Sequence, residues 1–166
     1  MLQQVKRVLY ATDLSPNAAH AFLYAASFAQ TQRSEIVILH VIETLPSMAQ
    51  ALVGTVLNEA QTQKAYEETE KHIRARLEKF CETVSKVYPE CKENVIATDV
   101  VKGYPVDEIL KKRKEYDCDL IILGSHGKGI ISHTLMGSVT ERVLRRARLP
   151  VMVIPLPEEK TDITMQ

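Results

Sequence analysis

The stretch "DLIILGSHGKGIISHTLMGSVTERVLRRARLPVMVIP", Asp119 to Pro155, sets an apolar run, a glycine-rich connection, a charged segment and a second apolar run in series. "DLIILG" (Asp119 to Gly124) reads as a strand, "SVTERVLRRA" from Ser138 as a helix, and "LPVMVIP" as a closing strand. Two strands joined through a helix are a parallel pair, because a parallel neighbour needs a long crossover. The reading of this segment therefore fixes the class of fold.

The same alternation continues towards the N-terminus. "RVLYAT" (Arg7 to Thr12) is a short strand, followed by Asp13, Leu14, Ser15 and Pro16, where Ser15 can cap a helix and Pro16 suits its first turn. The following helix, "NAAHAFLYAASFAQ", carries Ala18, Phe22, Ala25 and Ala29 at helical spacing. "EIVILHVI" (Glu35 to Ile42) is a nearly continuous β-branched run, as in a strand covered on both faces. The stretch from Glu43 to Leu57, with Pro46 and Gly54, is expected to be a loop or a short helix. From Asn58 to Val87 the chain is highly charged, yet Ile73, Leu77, Phe80, Cys81 and Val84 mark one apolar stripe of a long surface helix. "NVIATDVV" (Asn94 to Val101) is a third strand, and "YPVDEILKKRKEYDC" a helix opened by Pro105.

Five strands alternating with helices predict an α/β, Rossmann-like fold: one parallel sheet with helices on both faces. Residues 1–156 are expected to form one domain, and 157–166 a polar C-terminal tail. Composition agrees with a globular chain, at 45% hydrophobic and 25% charged residues. Lys plus Arg and Asp plus Glu are equal at 21 each, so no global field draws in nucleic acid or anionic lipid. No run of about 18 apolar residues crosses a membrane, and the N-terminus lacks a signal-peptide layout. Cys81, Cys91 and Cys118 form no C-x-x-C pair, which disfavours a disulfide framework or a thiolate zinc site. A cytoplasmic location is the expectation.

In a sheet of this kind ligands bind beyond the carboxyl ends of the strands. Three segments fall there: Ala11-Thr12-Asp13, His40 to Glu43, and the glycine loop. That loop runs Gly124-Ser125-His126-Gly127, nine residues, then Gly137-Ser138 at the start of a helix. Two readings are open for it, a plain turn or a cradle for an anion. As a cradle it would offer free N–H groups of Gly137, Ser138, Val139 and Thr140, hydroxyls of Ser138 and Thr140, and the positive end of the helix dipole, worth about 0.3–1 kcal/mol for an anion. Lys128 could reach the outer phosphates or be solvated. Neither G-x(4)-G-K-[ST] nor G-x-G-x-x-G is present. Asp13 has an alternative role in starting the first helix. His126 and His133 are not spaced as metal ligands on one turn. His40 is expected to be a packed, hydrogen-bonded residue, and Cys118 inert core. Arg142, Arg145, Arg146 and Arg148 read as a solvated helix face.

The spacing Gly124-x(2)-Gly127-x(9)-Gly137-Ser138 resembles the nucleotide-binding signature of the universal stress protein family, in its ATP-binding branch. "YATDLSPNA", "ILHVIE", Gly103-Tyr104-Pro105 and "SVTERVLRRARLPVMVIP" are similar to further parts of the family, from about Val5 to Pro155. The resemblance implies strand order 3-2-1-4-5 and a bound adenine nucleotide, ATP first, with Mg²⁺ bridging its phosphates. It implies that Asp13 contacts the ribose or adenine side, that main-chain groups of Val41 read the adenine edge, and that Ala11 and Thr12 line the base pocket. Gly124, His126 and Gly127 would flank ribose and phosphates; Gly137, Ser138, Val139 and Thr140 would hold the phosphates. It also implies a homodimer through the last strand, Val151 to Ile154, where an apolar edge needs cover; Pro150 and Pro155 offer another way to blunt that edge. The segment Glu43 to Leu57 is longer than the family pattern.

Three functions follow for comparison. A nucleotide-dependent regulatory module of the stress response, acting on protein partners the sequence does not name, needs only the cradle and Asp13. A slow ATPase or autophosphorylating enzyme would want a placed base and metal-holding carboxylates, and after the glycine loop no acidic residue precedes Glu141. A phosphoacceptor switch with an acidic cluster fails, because the third strand ends Val100-Val101-Lys102 and the fifth Ile154-Pro155.

Overall fold

The computed structural model describes residues 4–15, 18–126, 136–155 and 157. Its strands are β1 (Arg7–Thr12), β2 (Glu35–Glu43), β3 (Val95–Gly103), β4 (Leu120–Gly124) and β5 (Val151–Ile154). All pair in parallel, in the order β3-β2-β1-β4-β5. The helices among the described residues are α1 (Ala18–Gln32), α2 (Ser47–Val56), α3 (Glu59–Val87), α4 (Glu90–Asn94), α5 (Pro105–Glu115) and α6 (Ser138–Arg146).

Period-two alternation divides the strand residues between two cores. Val8, Tyr10, Ile36, Ile38 and Ile122 pack on one face with Phe22 of α1 and Leu77, Phe80 and Val84 of α3. Leu9, Val37, Leu39, Ile121 and Leu123 pack on the other with Val106 and Ile109 of α5 and Val143 of α6. The apolar stripe of the long helix is buried as expected at Ile73, Leu77, Phe80 and Val84, with Cys81 half-buried. Phe22 stands edge-on to Phe80, ring centroids 5.2 Å apart, and locks α1 to α3. Arg74 reaches from α3 to the β3 carbonyl of Thr98 at 2.9 Å, fastening that helix across the sheet's outer strand.

Two helices go beyond the simple alternation. The stretch after β2 forms α2, which buries none of its residues. The five-residue α4 precedes β3, and β3 extends two residues beyond the expected end, to Gly103. The start of the first helix at Pro16 and Asn17, and the tail beyond Pro157, lie outside the described residues. No described helix is long and apolar enough to cross a membrane.

Candidate functional site

Strand order reverses direction between β1 and β4, and α1 and α6, which follow these two strands, pack on opposite faces of the sheet. The gap they leave at the carboxyl ends of the strands is a cleft of about 510 Å³. Ala11, Thr12, Asp13, Val41, Gly124, His126, Gly137, Ser138, Val139 and Thr140 all line it. Gly127, the remaining expected site residue, lies outside the described residues, as do Lys128 and His133.

The turn leaving β1 is built from its own side chains. Thr12 Oγ1 accepts the N–H of Leu14 at 3.1 Å, and Asp13 Oδ1 accepts that of Ser15 at 3.0 Å. These bonds hold Leu14 in a left-handed conformation, φ 59°, and turn the chain sharply as it leaves β1. Asp13 is thus tied into the turn ahead of the first helix, while it also lines the cleft. His40 Nδ1 donates to the Thr12 carbonyl at 2.8 Å from a buried position, which matches the packed histidine expected there. Burial pushes the Tyr10 phenol up, and its hydroxyl donates to Ala18 O at 2.6 Å beneath the cleft.

Strand lengths open an edge beside this turn. β1 ends at Thr12, opposite His40, whereas β2 runs on to Glu43 with β3 alone beside it, Val41 opposite Val101 and Glu43 opposite Gly103. The side of β2 that faced β1 therefore continues past the end of β1, at Val41, into the cleft. Main-chain donors and acceptors at such a point suit the edge of a planar base.

On the opposite side, β4 and α6 are laced together. The Ser125 N–H donates to Ile154 O at 2.7 Å, the Gly137 N–H to Ser125 O at 2.8 Å, and the Thr140 hydroxyl to Gly124 O at 2.8 Å. Two expectations are corrected here. The N–H of Gly137 is not free but satisfies Ser125, and the Thr140 hydroxyl spends its single proton on the end of β4. Gly137 is the N-cap, its carbonyl accepting the Glu141 N–H at 2.9 Å. The helix itself supplies no acceptor for the N–H groups of Ser138, Val139 and Thr140, which are its first three. With the Ser138 hydroxyl, these are the donors α6 offers at the cleft. Glu141 is exposed and paired with Arg145 at 2.9 Å.

Gly124 is not required by its backbone: its φ lies outside the left-handed range, and among the described residues an added Cβ would meet nothing closer than His126 O at 3.5 Å, an ordinary contact. Its lack of a side chain keeps the cleft open. Next to it, Ser125 Oγ and His126 Nδ1 are 2.8 Å apart, and His126 Nε2 is buried with no hydrogen-bond partner among the described residues.

The sequence reading missed the far wall. Thr69 and Ile73 of α3 line the cleft, and so do Pro105 and Ile109 at the start of α5. Thr69 is one helical turn before Ile73, so a backward extension of the α3 stripe was the available signal. The thiols are remote: burial pushes Cys118 up to about 12 and Cys81 up to about 11, leaving both protonated at neutral pH. Among the described residues, no three His, Cys, Asp or Glu side chains are grouped to hold a metal ion.

The profile of the universal stress protein family matches residues 4–155. The universal stress protein MJ0577 of Methanocaldococcus jannaschii is 31% identical over 152 residues, covering 90% of this chain and 94% of that protein. A solved structure of MJ0577 superposes with a TM-score of 0.67 at 28% identity, covering 95% of this chain and all of that one. The structure of the hypothetical protein PH0823 gives 0.59 at 30% identity, over 93% of this chain and 98% of its own.

Proposed function

The chain belongs to the universal stress protein family, and from that premise we propose that it is an ATP-binding regulatory module of the cytoplasmic stress response. One observation carries the reading: a single cleft of about 510 Å³ has the bare edge of β2 at Val41 on one side and the first three N–H groups of α6 on the other. The first suits adenine and the second suits phosphates, with the α6 dipole adding roughly half a positive charge. Asp13, on the β1 turn, meets the ribose side. Gly124 leaves room where a Cβ would narrow the cleft. Mg²⁺ is held by the phosphates, and the protein orients them.

Native mass spectrometry of the purified protein tests this. An adenine nucleotide is expected to co-purify, and Gly137→Leu is expected to abolish that species while thermal unfolding stays cooperative. Undiminished occupancy in Gly137→Leu would show that the phosphates sit elsewhere. A trapped triphosphate marks a binding module; sustained release of diphosphate marks the slow enzyme.

A further inference from the structure

Neither Cys81 nor Cys91 lines the nucleotide cleft, but the two share a second cavity, of about 310 Å³, between α3, α4 and the start of β3. We propose that they form a redox pair: hydrogen peroxide closes a Cys81–Cys91 disulfide that latches α4 to α3, and a thiol reductant reopens it. Three observations carry this, none of them drawn from the nucleotide reading. Cys91 is buried in the core beneath α1 and α3, and half-buried Cys81 packs against the same core. The chain between them doubles back: the Tyr88 N–H donates to Val84 O at 2.7 Å and the Cys91 N–H to Tyr88 O at 3.0 Å, and α4 then packs on both α3 and α1. The thiols also stand in one another's field, since burial first, then Cys91 and Glu78, pushes Cys81 up to about 11.

A disulfide needs its two Cα atoms within about 7 Å, and α4 is the part that adjusts: it has five residues and no side-chain cap at its start. A water-sized molecule needs only about 15 Å³, so the cavity admits peroxide. Cys118, the third cysteine, packs in the core on the other face of the sheet and is out of the pair's reach. In the first step Cys81 Sγ, its proton given up to water, bonds to one peroxide oxygen. The O–O bond breaks, the other oxygen leaves and is protonated to water, and Cys81 becomes a sulfenic acid. Cys91 Sγ then bonds to Cys81 Sγ, and the displaced hydroxyl leaves with the Cys91 proton as a second water. Two thiols have lost two electrons and two protons, and peroxide has become two waters. A thiol raised this far holds little thiolate at neutral pH, so the first step is slow. The latch thus answers sustained oxidant rather than a brief pulse. Closing a loop over the nine residues between the cysteines restricts the unfolded chain, so the oxidised fold melts higher.

The test exposes the full chain to hydrogen peroxide, denatures it in iodoacetamide and maps its peptides by mass spectrometry. The expected result is a cross-linked Cys81–Cys91 peptide two hydrogens lighter, with Cys118 alkylated and both thiols recovered under dithiothreitol. The oxidised chain should show a higher thermal midpoint than the reduced one. Cys81→Ser and Cys91→Ser should each keep an unchanged midpoint under peroxide; Cys81 is only half-buried, so its variant keeps the fold where the other does not. In Cys91→Ser a sulfenic acid should accumulate at Cys81 and react with dimedone. Pairing through Cys118 or between two chains, a sulfinic acid at Cys81 with no cross-link, thiols untouched by peroxide, or a cross-link that leaves the midpoint unmoved each overturns the proposal. The nucleotide reading stands or falls separately, on what co-purifies.

Discussion

Thr140 and Ser138 are neighbours on the first turn of α6 and carry the same functional group, but their surroundings give them different work. Thr140 is 5% exposed and its hydroxyl is committed to Gly124 O. Thr140→Val leaves that carbonyl without its donor, so it should lower unfolding stability by about 1–3 kcal/mol in urea titrations. Ser138 is exposed, and Ser138→Ala should change stability by less than about 0.5 kcal/mol while weakening triphosphate binding about tenfold by calorimetry, as loss of one hydrogen bond to a charged group does. The motif spacing made both residues legible in the sequence, but not their division of labour. That depends on which atom lies opposite, a long-range fact. Cys118 was legible as inert core, and the reason has a pH consequence. Its thiol stays neutral in the folded chain up to about pH 12, whereas the unfolded thiol ionises near 9. The folded state is thus unpenalised below about pH 9 and loses stability as pH rises from there towards 12. Cys118→Ala should flatten that alkaline loss in thermal melts taken at stepped pH.

At the scale of elements, legibility followed the strength of the local signal. α5 announced itself through Pro105 at its start and acidic residues in its first turn, with lysine and arginine in its last. Gly103 before it was singled out only by resemblance. The structure supplies the cause: a Cβ there would stand 2.6 Å from Glu108 Cγ, so the first turn of α5 folds over a bare backbone. α2 escaped a firm reading because it buries nothing; Met48, Leu52 and Val56 are 81%, 65% and 80% exposed, so no buried face imposes a period. α4 is a single short turn after Pro89, below the length at which periodicity can be read. The start of α3 is held by a reciprocal cap, Asn58 Oδ1 accepting the Gln61 N–H and Gln61 Oε1 accepting the Asn58 N–H, each at 2.9 Å. Asn58→Ala should cost about 1 kcal/mol. Because the buried anchors of α3 begin only at Ile73, the loss should be local. Hydrogen exchange should quicken over the first turns of α3 and not over Leu77 to Val84; uniform acceleration would mean that the cap stabilises the whole domain.

Across the whole molecule, parallel pairing and strand order decide where function can sit, and also where the sheet ends. The alternation of strand and helix made the parallel sheet legible, and the order that the family resemblance implied is the one observed. The α3 wall of the cleft was not legible, since Thr69 is brought to the cleft only by packing of the complete sheet against the helix. The same topology leaves β5 as an outer strand with β4 on one side alone. Val151, Met152 and Val153 are each half-buried there, so an apolar strand edge is offered to a neighbour. We propose that a second copy pairs with it about a two-fold axis. Four strand residues cannot by themselves bury the roughly 800 Å² per partner of a stable interface. The segment leading into β5 also exposes apolar side chains, Met136 and Leu144 at 44% and 39%. Val153 packs in neither core, so a charge there spares the fold and strikes the edge. Sedimentation at micromolar concentration should give a dimer for the wild type and a monomer for Val153→Lys, the two unfolding at similar temperatures. A wild-type chain that stays monomeric, or a dimer indifferent to the lysine, would mean that Pro150 and Pro155 alone blunt this edge and that two clefts are not coupled through it.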